Sequence, residues 1–120
     1  GGWQILRTSL TLACLTKQTV RITNIRAGRP NPGLRAQHLM AARSIQKVCP
    51  GKMNDEKIGS QNLLFEPGKK ILPGKYNLDI GTAGSVTLVA QTIMPLLLFA
   101  KEKSELKITG GTHVLKSPSF

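Results

Sequence analysis

The sequence predicts an α/β fold of the α+β kind, in which helices pack on one face of a mixed sheet built from repeated βαβαββ units. Segments with apolar residues at helical spacing alternate with segments rich in β-branched residues, which are typical of strands. The order of glycine-rich turn, apolar helix and strand in residues 1–25 recurs in residues 81–108, about 80 residues later. With 120 residues, of which 40% are hydrophobic, the chain is long enough to bury a core of ordinary size.

The first half of the chain is predicted to contain two helices separated by a strand and a loop. Apolar spacing indicates both helices, alternation indicates the strand, and two prolines exclude regular structure from the loop. These elements are a helix over residues 4–15, a strand over 19–25, a loop over 26–33 and a helix over 34–49.

The second half is predicted to hold three strands and one long apolar helix. The strands cover residues 62–68, 75–81 and 104–111, and the helix covers 85–100 after the small-residue turn GTAGS. This apolar run is too short for a comfortable membrane span, and Gln91 and Pro95 interrupt it. We therefore predict a buried helix and no membrane partner.

Two structural units are expected, over residues 1–73 and 74–120. The first is a βαβαββ-type unit without its leading strand, because a helix begins almost at residue 1, and the second stops before its second helix. A unit interrupted there leaves part of its apolar helix without cover. We therefore expect an exposed apolar patch that favours self-association.

The charge of the chain limits the classes of partner. Its 17 Lys and Arg residues against 6 Asp and Glu residues give a formal net charge of +11. Such a chain attracts a nucleotide, a nucleic acid or an anionic membrane surface, or it is simply a basic protein. Only 4% of the residues are aromatic, so a stacking platform for single-stranded bases is not predicted.

The residues that carry most enzyme chemistry are few and scattered. Cys14 and Cys49 form no CxxC pair and are predicted to be two buried free thiols. His38 follows Gln37 near the start of a helix, where a partly buried, hydrogen-bonding histidine is expected. No pair of acids is placed for acid–base work or for holding magnesium, and neither a Walker A motif nor a GxGxxG fingerprint is present.

The segment IRAGRPNPGLRAQHL, residues 25–39, has the composition of an anion-binding loop. Arg26 follows a strand and Arg29 lies three residues on, and a guanidinium can bind two phosphate oxygens at once. Gly28 and Gly33 let backbone amides approach a ligand closely. The helix that follows points its first N–H groups at the same space. The alternative interpretation is a solvated basic loop.

Two polar side chains interrupt the apolar pattern of the helices. Arg7 lies one turn into the first helix, where it either reaches the surface along its aliphatic stem or enters a ligand cleft. Gln91 lies inside the apolar helix, and a buried amide there either bonds to neighbouring backbone or faces a site. The turn GTAGS before that helix is a weaker candidate for a phosphate cradle.

Five segments occur in the order found in RNA 3'-terminal phosphate cyclases. They are GGWQILRTS, IRAGRPNPGLRAQHL, GTAGSVTL with the glutamine that follows it, PLLLFA and LKITGGT. From residue 1 to about residue 112 the chain resembles that family. The resemblance adds to the interpretation of the single residues and does not replace it.

The resemblance implies an ATP-dependent enzyme with ligase-type, nucleotidyl-transfer chemistry. Members convert an RNA 3'-phosphate to a 2',3'-cyclic phosphate through an enzyme–AMP and then an RNA–AMP intermediate, with help from a divalent metal, Mg or Mn. The implied partners are ATP and RNA with a 3'-phosphate end, in the cytoplasm or, in a eukaryote, the nucleus. The implied fold repeats a βαβαββ unit like that of the C-terminal domain of translation initiation factor three.

The resemblance also implies which residues line the ATP and phosphate pocket. They are Gln4, Arg7, Arg26, Arg29, Gln37 and Gln91. The family's adenylylated histidine lies beyond residue 120, and neither His38 nor His113 matches its motif, so no catalytic residue and no metal ligand is assigned. We predict that these 120 residues alone do not become adenylylated.

Three departures from the family pattern leave other functions open. Trp3 stands where the family usually has a third glycine, the usual acidic residue before Gly1 is absent, and His113 replaces an Asn or Asp. The alternatives are a non-catalytic cyclase-like protein of ribosome assembly and a basic RNA-binding module that binds backbone phosphates. The intact arginine loop favours the enzyme.

Overall fold

The computed structural model describes residues 2–72, 74–80, 83–100, 104–111 and 113–117. Three helices and six strands lie within these residues, and they confirm the predicted α+β class. In chain order they are α1 (Gly2–Thr16), β1 (Val20–Ile22), α2 (Ala36–Val48), β2 (Lys52–Asn54), β3 (Leu63–Glu66), β4 (Lys75–Asp79), α3 (Ala83–Leu97), β5 (Glu105–Gly110) and β6 (His113–Ser117).

The strands form two three-stranded sheets. The first has the order β1-β3-β2, and both of its pairings are antiparallel. The second has the order β4-β5-β6, with β4 parallel to β5 and β6 antiparallel to β5. Parallel neighbours need a long crossover, and α3 supplies it between β4 and β5. The predicted repetition of a βαβαββ unit stays a prediction, as do the unit bounds.

Helix α1 has one face in the core and one face open. Leu6 and Leu10 are buried, and the helix packs on α2, β1 and β3. On the other side Ile5 and Leu12 are 67% and 52% exposed. Burying a leucine contributes roughly 2 kcal/mol, so the inner face holds this helix in place.

The second sheet has the same one-sided burial. Leu106 and Ile108 of β5 are buried and alternate with the exposed Glu105 and Lys107. Since side chains alternate across a strand, the apolar set lies on one face, and α3 packs on β5 and β6. Helix α2 joins the two halves by contacting both α1 and α3. Helices therefore cover one face of this sheet, as predicted.

Two differences from the predicted elements have local causes. Strand β1 ends at Ile22 instead of residue 25, because Asn24 has a positive φ of 56° and turns the chain away from the sheet. Strands β2 and β6 were not predicted. In β2 only Met53 is buried, and three residues are too few to show an alternating pattern.

Helix α3 ends close to its interrupting proline. It reaches Leu97, with Pro95 inside its last turns, and the apolar residues Leu98 and Phe99 that follow are 65% and 67% exposed. These two side chains form part of the exposed apolar surface that is expected to favour self-association. Self-association stays a prediction, and analytical ultracentrifugation would test it. In the part of the chain that the structure describes, the helices are too short or too polar to cross a membrane.

Candidate functional site

The arginine loop, residues 25–35, is closed by hydrogen bonds within itself. The N–H of Gly33 donates to the Ile25 carbonyl at 3.0 Å, which brings the two ends of the loop together. Arg26 Nη1 donates to the carbonyls of Asn31, at 2.8 Å, and Gly33, at 3.0 Å. A charged donor on two carbonyls makes strong hydrogen bonds, so the Arg26 side chain braces the loop from inside.

The loop is also attached to a neighbouring segment that precedes β3. Leu34 donates its N–H to the Ser60 carbonyl at 2.8 Å, and Gly59 donates to the Leu34 carbonyl at the same distance. At the other end of the loop, the N–H of Ile25 donates to the Gln61 carbonyl at 2.9 Å. These backbone bonds satisfy buried polar groups and hold the loop in one conformation.

Two residues of the loop adopt left-handed backbone conformations. Gly33 has φ 82°, and a Cβ atom at this position would overlap the carbonyl oxygen of Gly59. Arg26 has φ 48°, which is unfavourable for a bulky residue. Such strain is found where the surrounding structure holds a residue in place, and it is common at binding sites.

Helix α2 begins at the end of this loop. Arg35 is the residue before its first turn, and the Arg35 N–H donates to Nδ1 of the buried His38 at 3.0 Å. Burial, and then the positive charges of Arg26 and Arg35, lower the pKa of His38, so this imidazole is neutral at pH 7. The positive charges of Arg26 and Arg35 therefore act on the same buried imidazole.

The side chains of this region differ in exposure. Arg29 and Gln37 are exposed, whereas Arg26 and Arg35 are half-buried. The two exposed residues are therefore accessible to a ligand in solution. The prediction of a hydrogen-bonding histidine at position 38 is confirmed, and this residue is more fully buried than expected, at 6% exposure.

A second predicted group lies in a groove between α1 and α3. Arg7 Nη1 donates to Gln91 Oε1 at 3.0 Å, which joins two residues 84 positions apart in the chain. The prediction that Gln91 is buried is wrong. Gln91 is exposed because it lies on the side of α3 that faces the groove, and its partner is the Arg7 side chain.

The groove has a volume of about 670 Å³ and largely apolar walls. It is lined by Arg7, Thr8, Thr11, Leu12, Thr87, Ala90, Gln91, Met94, Pro95 and Leu115. Apart from the Arg7–Gln91 pair, its polar groups are three threonine hydroxyls. A groove of this size can hold a small molecule with one charged end.

The structure thus places the six predicted residues in two regions. Arg7 and Gln91 pair in the groove, and exposed Gln4 lies one turn before Arg7 on α1. The other three lie on the arginine loop or the first turn of α2. The GTAGS candidate lies partly outside the described residues.

Sequence reasoning missed some of the residues that shape these regions. Arg35 was not singled out, although it is the last residue of the loop and adds a third guanidinium. Thr8 and Thr11 were also missed, and their spacing of three on α1 was the available signal, because such residues share a helix face.

The described residues provide no ready-made metal site. None of the His, Cys, Asp and Glu side chains in that part of the chain form a group of three or more that could hold a metal ion. Cys14 and Cys49 are free and buried, as predicted.

The chain is an α+β protein in which helices cover one face of small sheets. Its arginine-rich loop is held rigidly and leads into a helix, so the protein has a preformed cationic loop. The chain matches the family model described as RNA 3'-terminal phosphate cyclase over residues 1–120. The chain therefore belongs to the RNA 3'-terminal phosphate cyclase family, and the resemblance in its motifs is confirmed.

Proteins named RNA 3'-terminal phosphate cyclase in several organisms are similar to the chain. The protein from Pyrococcus furiosus is 51% identical over 98% of this chain and 34% of its own length. Those from Sulfurisphaera tokodaii and Methylococcus capsulatus are 52% and 46% identical over the whole chain, each over 35% of its own length. The chain thus spans about a third of the length of these curated relatives.

Proposed function

We propose that this chain supplies the phosphate-binding part of an ATP-dependent RNA 3'-terminal phosphate cyclase. The whole protein would convert an RNA 3'-phosphate to a 2',3'-cyclic phosphate in the cytoplasm, or in the nucleus of a eukaryote. Family membership supports the enzyme class, because the relatives carry that name. The ATP dependence and the intermediates are part of the proposal.

The observation that carries the proposal is the braced arginine loop. Among the described residues, the hydrogen bonds of Arg26 engage only Nη1, which leaves the Nε and Nη2 hydrogens for an anion. Arg29 is exposed on the same loop, and α2 begins where the loop ends. Guanidiniums held beside a helix start match the charge and geometry of a polyphosphate.

The groove contributes a second cationic group. Gln91 fixes the Arg7 guanidinium through one of its nitrogens, so the remaining N–H groups can donate to a phosphate oxygen that enters the groove. We propose that Gln4 and Gln37, which are exposed, add hydrogen bonds at the rim of the two regions.

The proposed reaction has two transfers of AMP followed by ring closure. AMP passes from ATP to a histidine outside these 120 residues, with release of pyrophosphate, and then to the RNA 3'-phosphate. The neighbouring 2'-hydroxyl attacks that phosphorus and AMP leaves. The arginines of this chain would neutralise the negative charge that grows on the pyrophosphate leaving group.

His38 is a poor nucleophile in this scheme. It is buried, and its Nδ1 accepts the Arg35 N–H. Its structural position supports the prediction that these 120 residues do not become adenylylated. Covalent radiolabel transferred from ATP to the 120-residue chain would contradict that prediction.

The family's divalent metal, Mg or Mn, is part of the proposal for the whole protein. The metal-ligating side chains of the described residues do not fit such an ion by themselves, since they form no group of three. We therefore assign no step of the reaction on this chain to a metal.

The test uses the full-length protein that contains this chain. It is incubated with ATP, a divalent ion and a 3'-phosphorylated RNA oligomer, and resistance of the end phosphate to phosphatase is measured. We expect resistance that depends on ATP and falls at least tenfold in rate for Arg29→Ala, because loss of a charged contact costs roughly 1.5–3 kcal/mol. Arg43→Ala is the matched control, since Arg43 is also exposed but lies about two turns into α2.

The alternative functions give different results in the same experiment. A labile end phosphate with steeply salt-dependent RNA binding would indicate a basic RNA-binding module. A labile phosphate with no effect of ATP on RNA binding would also fit the cyclase-like protein of ribosome assembly. Equal loss of activity in Arg29→Ala and Arg43→Ala would remove the arginine loop from the proposal.

A further inference from the structure

The second sheet has an open face on the side away from the helices. Helix α3 packs on β5 and β6, and the buried residues of β5 alternate with the exposed Glu105 and Lys107. The exposed side chains of the neighbouring strands on this side include Lys75, Asn77 and Lys116, and a groove of about 630 Å³ lies among them. We call this surface, residues 75, 77, 105, 107 and 116, the lysine face.

The strand register places two lysines directly opposite each other on the lysine face. Lys107 of β5 pairs with Lys116 of β6, and Asn77 of β4 is the partner of Lys107 on its other side. Directly opposed side chains have Cβ atoms about 5 Å apart, and like charges at that spacing destabilise a sheet. In the described part of the chain neither lysine forms a salt bridge. This row therefore carries two positive charges that no acid in the same row neutralises.

Two other strand lysines are compensated by the strand beside them. Lys75 has Glu105 as its cross-strand partner, and its Nζ lies 3.8 Å from Glu105 Oε2. Lys52 of β2 is opposite Glu66 of β3. Lysines also keep edge strands from pairing with other chains, but Lys107 lies on β5, the central strand, where there is no edge to protect. The uncompensated pair therefore indicates an anion that comes from outside the chain.

We propose that the lysine face binds phosphates of the RNA backbone other than the 3'-terminal phosphate. The proposal rests on the RNA partner of the proposed function but not on the cyclase reaction, because the arginine loop and the α1–α3 groove are proposed to bind the reacting phosphates. An open sheet face is accessible to a strand of RNA, and ammonium groups bind phosphates as point charges. Such contacts position the RNA and do not depend on its sequence.

Two lysine–phosphate contacts have a defined effect on the salt dependence of RNA binding. Each phosphate neutralised on a single strand contributes about 0.7 to the slope of log affinity against log salt concentration. We expect the double variant Lys107→Ala with Lys116→Ala to reduce the slope by about 1.4 and to weaken binding roughly tenfold at low salt. Because the contacts do not involve the 3' end, RNAs that end in a 3'-phosphate and in a 3'-hydroxyl should lose affinity by the same factor.

The test uses the full-length protein that contains this chain. Its affinity for an RNA oligomer labelled at the 5' end is measured by fluorescence anisotropy, without ATP, over a series of salt concentrations. Lys52→Ala is the matched control, because it also removes one exposed lysine but one that has an acid opposite it. We expect the control to keep the wild-type slope. An unchanged slope in the double variant, a loss per charge equal to that of the control, or a loss seen only with 3'-phosphorylated RNA would each overturn the proposal.

The variant Lys107→Glu separates an RNA contact from a structural role of the lysine. Opposite charges would then face each other across β5 and β6, so we expect a higher urea midpoint than that of the wild type together with weaker RNA binding. Weaker binding confined to variants that are less stable than the wild type would overturn the proposal, because unfolding would explain it. Loss of binding to phosphatidylserine vesicles with RNA binding unchanged would assign the face to a membrane and would also overturn the proposal.

The result is separable from that of the cyclase reaction. If the wild type binds RNA through these lysines but leaves the end phosphate sensitive to phosphatase, the lysine face stands and the proposed reaction is wrong. If the end phosphate becomes resistant while the double variant binds RNA as tightly as the wild type does, the reaction stands and the proposal for the lysine face is wrong.

Discussion

The arginine loop and the α1–α3 groove are two candidate binding regions that are held in different ways. Backbone hydrogen bonds close the loop through Gly33 and attach it to residues 59–61. The groove depends on the packing of two helices and on one side-chain pair, Arg7 with Gln91. The loop therefore has its shape before a ligand arrives, whereas the groove can change with the contacts of its helices.

Shortening one side chain on each face of α1 should give the largest difference in the free energy of unfolding. Leu10 is fully buried and Leu12 is 52% exposed in the groove wall. We expect Leu10→Ala to lower the free energy of unfolding by about 2–5 kcal/mol and Leu12→Ala by about 0.5 kcal/mol or less. Urea denaturation measures both. Similar losses would mean that the groove wall is packed as tightly as the core.

A methyl group at Gly33 tests how rigidly the loop is held. Gly33→Ala combines a positive φ with overlap against the Gly59 carbonyl, and we expect a loss of about 2–3 kcal/mol. Gly28→Ala is the matched control, because a Cβ at Gly28 meets nothing within 4 Å, and its effect should stay within about 0.5 kcal/mol. If both variants unfold at the same urea concentration, the loop is able to rearrange.

Substitutions of Arg26 and Arg29 in the loop should separate effects on stability from effects on ligand binding. Arg26→Ala removes two hydrogen bonds to backbone carbonyls and should cost about 1–2 kcal/mol of unfolding free energy. Arg29→Ala should leave stability within about 0.5 kcal/mol but weaken ATP binding, because Arg29 is exposed. Thermal melts with and without ATP measure both effects. Unchanged stability of Arg26→Ala would contradict its bracing role.

The smallest expected effect is the pH dependence contributed by His38. Its pKa is lower in the folded than in the unfolded chain, where it is near 6.5, so the unfolded state binds more protons in acid. The contribution to stability is present above pH 6.5 and is lost as the pH falls below that value. His38→Gln should therefore show a shallower loss of stability between pH 7 and 5 in urea titrations. Parallel curves for the two proteins would mean that His38 does not contribute to the pH dependence of stability.

Several elements could be predicted from local patterns alone. Apolar spacing marked α1 and α3, and Arg26, Pro30 and Pro32 marked the loop, because these signals act over a few residues. Strand β2 was missed because it is a three-residue edge strand, stabilised by pairing with β3 more than by its own sequence. Gln91 was misjudged because its helix is apolar on average, while its own position faces the groove.

The sequence by itself determined the class of fold, the cationic character of the loop and the family to which the chain belongs. These features depend on composition, local spacing and contiguous motifs. Only the tertiary structure showed that Arg26 braces its loop and that Arg7 meets Gln91. The Arg7–Gln91 contact joins residues far apart in the chain, and the packing of α1 on α3 decides it. The Arg26 contacts depend on a backbone conformation that Gly33 and the neighbouring residues 59–61 impose.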